Sequence, residues 1–192
     1  TVVTTPTNDA TPDVVITTTE AGTIAVGGTG CGLSSTATMT SGANTVTLTT
    51  SGDGAFTCTI TFTDTATNAA SALTLTAFTV DTGPPSTTIS YSGSSPATGS
   101  TFAVSIVFGE SVTGFTVSEV VVSGGSATLS GSGASYTATI TPSADGTVTI
   151  DVAAGVATDA AGNSNTIATQ LSVASDQPND PVITSSGTTS GT

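Results

Sequence analysis

The 192-residue chain has no Lys, no Arg and no His against 13 acidic residues, a formal charge of −13. Without side-chain cations it can neither displace counterions from nucleic-acid phosphates nor hold an anionic membrane surface, and Ser–His, Ser–Lys, Schiff-base and phosphate-clamp chemistries are excluded with them. At 36% hydrophobic residues, with abundant Val, Ile and Thr, it reads as an ordered β protein, and its charge makes oxygen-seeking divalent cations the natural counterions.

Three linker-like phrases recur, Asp9-Ala-Thr-Pro12, Asp81-Thr-Gly-Pro84-Pro85 and Asp176-Gln-Pro178-Asn-Asp180-Pro181, each leading into an apolar stretch. They predict an N-terminal segment or linker over 1–12 and two immunoglobulin-like β-sandwiches in tandem, at 13–81 and 82–176. Residues 177–192 are expected to be a linker and the start of a further repeat, or an exchanged strand.

Lettered as in an immunoglobulin sandwich, the first unit should place strand A near 14–18, B near 23–26, E near 45–50, F near 56–63 and G near 72–80, its middle unassigned. Phe56, Cys58, Ile60 and Phe62 alternate onto one face, as a half-buried strand requires. Cys31 and Cys58 are the only cysteines and favour a single disulfide, buried because Cys58 lies on that apolar face. In the chain-entropy picture such a bridge stabilises by roughly 3–4 kcal/mol.

The second unit should place A at 86–91, B at 101–108, C at 116–123, a short strand at 126–130, E at 135–142, F at 147–152 and G at 166–173. Its clearest apolar face is Phe102, Val104, Ile106 and Phe108, and no segment of either unit shows a helical stripe. Two phrases repeat between the units: Ser51-Gly-Asp53-Gly54 against Ser143-Ala-Asp145-Gly146, and Asp64-Thr-Ala-Thr-Asn68 against Asp159-Ala-Ala-Gly-Asn163.

The run Phe102–Phe108, then Gly-Glu110-Ser-Val-Thr-Gly-Phe115, Tyr136-Thr-Ala-Thr-Ile-Thr-Pro142, Asp145-Gly and Val156-Ala-Thr-Asp159-Ala-Ala-Gly-Asn163, resembles the bacterial Ig-like repeats of giant cell-surface and biofilm adhesins. The resemblance spans nearly all of 86–173; residues 13–80 resemble a shorter, cysteine-bearing relative. It implies stalk or spacer modules outside the cell, some of them stiffened by calcium.

Only carboxylate chemistry is left to an enzyme, and the carboxylates lie in turns and linkers of a chain with 4% aromatics and no Trp, so no enzymatic function is expected. In a seven-strand sandwich the AB and EF loops sit at the pole where G leaves, and the BC and FG loops where A enters. This directs Glu20 (AB) and Asp53 (EF) from below, Asp81 from the linker, and Glu110 (BC), Asp159 and Asn163 (FG) from above toward one junction. Six such oxygen-bearing side chains suit calcium. By the same rule Asp64 and Asn68 should face the preceding linker at Asp9 and Asp13, and Asp145 the following one at Asp176 and Asp180. Ordinary turn and linker roles are the competing reading of all these residues.

The function expected is a structural repeat module of an extracellular bacterial stalk, adhesin or fibre, rigidified by interdomain calcium. One alternative is a filament subunit polymerised by β-strand exchange through Thr1-Val-Val-Thr4 or Pro181-Val-Ile-Thr184; another is an adhesive tip that binds carbohydrate or a receptor. Expected partners are neighbouring copies of the repeat and a host or matrix surface. No apolar run approaches the roughly 20 residues that cross a bilayer, and no basic-then-apolar leader opens the chain, which reads as processed or excised from a longer one.

Overall fold

The structure, a computed structural model, describes residues 2–34 and 37–178. Alternating apolar residues build strands throughout, and the sole helical element among the described residues is a 3-10 turn, Val117–Glu119.

The second unit comprises β10 (Thr87–Ser90), β11 (Phe102–Val112), β12 (Val120–Ser123), β13 (Gly125–Pro142), β14 (Gly146–Val152) and β15 (Leu171–Ser175). Its two antiparallel sheets run β10-β11-β13 and β12-β14-β15. β13 folds back on itself: Ser143 N donates to Gly124 O at 3.0 Å, Ser130 Oγ to Thr137 O at 3.3 Å, and Gly131 and Gly133 take positive φ at the bend between. Its two arms are the expected short strand and strand E, so the order is A-B-E-D against C-F-G, that of an immunoglobulin sandwich. Between the sheets Val104, Ile106, Ile140, Val148 and Ile150 are almost wholly buried, and Phe108, Phe115 and Tyr136 pack edge to face.

The first unit comprises β1 (Asp13–Thr18), β2 (Gly22–Gly27), β3 (Cys31–Leu33), β4 (Thr38–Met39), β5 (Gly42–Thr50), β6 (Gly54–Phe56), β7 (Thr59–Asp64), β8 (Leu73–Thr74) and β9 (Phe78–Val80). Its sheets run β1-β5-β3 and β4-β2-β7-β8, with β6-β9 continuing the second along the same chain segments. A separate core, centred on Val14, Val46, Leu48, Ile60 and Phe78, fills it. The Cys31–Cys58 disulfide joins β3 of one sheet to the β6–β7 segment of the other; Cys58 is buried and Cys31 half-buried.

Pairing corrects the lettering of the first unit. β1 pairs with β5 as β11 pairs with β13, and β2 pairs with β7 as β12 pairs with β14. The strands expected as A and B are therefore B and C. Residues 2–12 are not a free linker either: Val3 enters the core and Thr7 forms a parallel bridge with Val80, just as Ala97 does with Ser175 in the second unit. The cause of the error is the phrase Asp9-Ala-Thr-Pro12, which has linker chemistry but occupies the turn that leads into strand B. Ile60 and Leu73 make the β7–β8 pair, while Leu73 itself is 45% exposed.

Candidate metal centre at the domain junction

Strand β9 delivers Asp81 to the start of the second unit, and the sequence around it dictates how it is held. Thr7 O accepts from Asp81 N at 2.9 Å, and Asp53, in the turn before β6, accepts from Thr82 N and Oγ1 at 2.9 and 2.8 Å. Asp81 Oδ1 accepts from Gly83 N at 3.1 Å. The linker backbone is thereby tied to the lower unit from two sides.

From above come strand β11 and the loop between β14 and β15. Glu110 lies near the end of β11, where alternation has brought the chain to the sandwich pole. Asp159 opens a tight loop in which its Oδ1 accepts from Ala161 N, Gly162 N and Asn163 N at 2.8, 2.7 and 2.9 Å, and its Oδ2 accepts from Asn163 Nδ2 at 2.8 Å. Asn163 Nδ2 also donates to Asp81 O at 2.8 Å, crossing between the units. Asn165, 2% exposed, braces the loop: its Oδ1 accepts from Val156 N and Ala157 N, and its Nδ2 donates to Ala153 O and Thr166 O.

Asp81, Glu110 and Asp159 thus present carboxylate oxygens within 4.8 Å of one another. At an effective dielectric of about 20, charges this close repel by a few kcal/mol per pair. The electrostatics register it: burial, then the charges of Asp159 and Asp81, push the Glu110 carboxyl above the usual glutamate range. For Asp159 burial also pushes upward, but hydrogen bonds from Asn163, Gly162 and Ala161 outweigh it and hold the carboxyl below the usual range. One of the three carboxylates is therefore firmly ionised and another is charged at a cost. An all-oxygen cluster of this kind fits a hard divalent cation, with backbone carbonyls and water able to complete a calcium shell of six to eight.

Of the six side chains expected here, Asp81, Glu110, Asp159 and Asn163 meet, while Asp53 adjoins the linker with its carboxylate committed to Thr82. Glu20 does not come. It follows β1, which is strand B, so it lies in the BC loop beside Asp64 and Asn68 at the far pole, on a shallow cavity of about 250 Å³. There Asp64 accepts from Asn68 N and Nδ2, both at 2.7 Å, and these bonds, the side-chain one foremost, hold its carboxyl low. Glu20, Asp64 and Asn68 are the counterparts of Glu110, Asp159 and Asn163.

Asp9 and Asp13 do not face Asp64 and Asn68. Asp9 Oδ1 accepts from Thr11 N and Oγ1 in a local turn, and Asp13 Oδ1 accepts from Thr47 Oγ1 at the opposite end of β1. Asp145 Oδ1 accepts from Gln177 N at 2.6 Å, beside Asp176, repeating the Asp53–Thr82 contact; Asp180 lies outside the described residues. Sequence reasoning missed Asn165, which carries no signal beyond its place in the loop. It also missed Asn8, whose side-chain amide lies beside Gly162 of the second unit.

The family model for the bacterial Ig-like domain matches residues 81–175. Residues 81–175 form a bacterial Ig-like domain. The match starts at Asp81 and so includes all three carboxylates. A solved structure described as the D0-D1 domain of intimin is similar at 14% identity and a TM-score of 0.31, over 89% of this chain and 94% of that one. The comparison with curated proteins gave no match. No helix among the described residues is long and apolar enough to cross a membrane.

Proposed function

We propose that the chain is a structural, non-catalytic module of an extracellular bacterial stalk, adhesin or fibre, and that calcium bound by Asp81, Glu110 and Asp159 stiffens the junction between its two units. The observation that supports this is the convergence of three carboxylates from a linker, a strand end and a loop onto one point. Without a cation their repulsion pries the junction apart; a divalent ion turns the same charges into a clamp across the hinge. The Asn163 amide sets the linker in register before any ion arrives, by donating both to Asp159 and to Asp81 O. The partners this implies are further copies of the repeat along the fibre and the surface that the fibre reaches.

Solution scattering and thermal melting, each with calcium and then with chelator, test the reading. Calcium should lengthen the maximum dimension, narrow its distribution and raise the melting temperature. An unchanged length and melting temperature would sink it.

A further inference from the structure

In the A-B-E-D sheet of the second unit the two edges are guarded unequally. Strand A, β10, is four residues long and follows Pro84-Pro85, so it offers little backbone for pairing. The D arm of β13 runs Gly125-Ser-Ala-Thr-Leu-Ser130, six residues with no charge and no Pro, and among the described residues no strand or bridge lies on its far side. From Ser111 to Ala144 the chain holds one carboxylate, Glu119, whose oxygens are engaged by Thr116 and Ser118. In a chain of charge −13 this is the flank that a like-charged molecule can approach.

Backbone direction fixes what that edge can accept. Ser143 N donates to Gly124 O, and the same hairpin register sets Ser130 opposite Thr137. Bonded positions alternate in an antiparallel ladder, so Ser126, Thr128 and Ser130 bond to strand E, while the N–H and C=O of Ala127 and Leu129 point away from it. The close approach of Gly131 to Tyr136 Cα marks the non-bonded position that this alternation requires. The side chains of Ala127 and Leu129 face inward yet stay half-buried, whereas Ala138 and Ile140 on the adjoining arm are wholly buried. The reason is an open groove of about 430 Å³ between the D arm and the turn at Val117–Glu119. Phe115, Val117, Ala127, Leu129 and Tyr136 supply its apolar walls, and Val117 is 45% exposed.

We propose that this edge docks the same edge of a second copy, the two D arms pairing antiparallel about a twofold axis at Thr128. A register must set inward residues opposite inward residues to keep the faces of both sheets aligned. Centring on Thr128, the middle of 126–130, does this and pairs every residue of that run. Ala127 then stands opposite Leu129 twice and Ser126 opposite Ser130 twice, and the outward N–H and C=O groups of Ala127 and Leu129 meet as hydrogen-bonded pairs. On the apolar face a small side chain lies against a large one, and each Leu129 is covered by the partner's Ala127. On the outer face hydroxyls meet hydroxyls. The two A-B-E-D sheets become one continuous sheet of eight strands, and the two chains lie side by side in opposite directions. A single strand pair with its grooves covers less than about 1,200 Å², so the contact is weak and reversible.

The test uses the whole chain. Thr128 is exposed, and at a non-hydrogen-bonded position on the twofold its two Cα atoms should stand about 4.5 Å apart, within reach of a disulfide. In a glutathione buffer Thr128→Cys should oxidise to a covalent dimer about tenfold faster than Ser105→Cys, which is exposed on the same face two strands inward. The native cysteines are already joined to each other and do not compete. By sedimentation velocity the unsubstituted chain should pass from monomer to a closed dimer as concentration rises into the millimolar range. Added salt should strengthen the dimer by screening the repulsion between chains of charge −13, and chelator should leave it intact, which separates it from the cation reading. Thr128→Lys and Thr128→Glu should each associate roughly threefold more weakly, since like charges then face each other, and their equimolar mixture should regain the loss. That recovery also shows that both variants are folded. A chain that stays monomeric, growth past dimer, equal cross-linking of the two cysteine variants, a dimer lost in chelator, or a mixture no stronger than its components would overturn the proposal.

Discussion

Two carboxylates a few ångströms apart behave oppositely because their hydrogen-bond partners differ. Asp159 accepts four hydrogen bonds in a site only 5% exposed, so its ionised form is the stable one. Its folded-state pKa is lowered, so its contribution is present above the ordinary aspartate range and is lost as pH falls through the folded value. Glu110 has the raised pKa, so its contribution is present in acid and is lost as pH rises through the folded value. At neutral pH and without a cation Glu110 is therefore a cost. Glu110→Gln should raise the melting temperature in chelator at pH 7, shrink that gain toward pH 4, and abolish the further rise on adding calcium; differential scanning calorimetry reads all three. Asp159→Ala should act the other way and destabilise the second unit by about 1–3 kcal/mol, because backbone N–H groups of a buried loop lose their acceptor. Urea unfolding followed by tyrosine fluorescence measures this, since both tyrosines, Tyr91 and Tyr136, lie in that unit.

At the scale of elements, each unit is held by a different device. The second unit relies on apolar bulk, with three aromatic rings stacked edge to face beside wholly buried Ile106 and Ile150. Ile150→Ala should cost it about 2–5 kcal/mol through lost burial and the cavity left behind. The first unit has interrupted strands, β6 and β7 in place of one strand F, and staples its sheets with Cys31–Cys58. Reduction, or replacement of both cysteines by Ala, should lower its stability by roughly 3–4 kcal/mol and leave the second transition in a calorimetric trace unmoved. A single merged transition that shifts as a whole would show instead that the two cores unfold together.

For the whole molecule the disulfide has a mechanical consequence. The 27-residue separation between Cys31 and Cys58 is locked against extension, so a stretched first unit cannot release that length. At roughly 3.3–3.6 Å per extended residue, reduction should add about 90 Å to its contour-length increment in single-molecule pulling. The second unit's increment should not change. On the proposed function, the covalent stop in one unit and a cation at the hinge would resist load at two levels, one redox-dependent and one calcium-dependent.

Much of this was legible in the residues themselves. Period-two alternation located nearly every strand of the second unit, because a side chain in a pleated sheet alternates faces whatever its neighbours are. The repeated Asp-x-x-x-Asn phrase marked both loops that fold around an aspartate. What only the tertiary structure decided was pairing. Strand identity depends on which distant segment supplies the hydrogen bonds, and a turn such as Asp9–Pro12 has the same local chemistry as a linker. That single ambiguity shifted the first two expected strands of the first unit by one letter, with E, F and G unaffected, and sent Glu20 to the wrong pole. The meeting of Asp81, Glu110 and Asp159 depends on the same long-range pairing, which sets three residues from a linker, a strand end and a loop on one point.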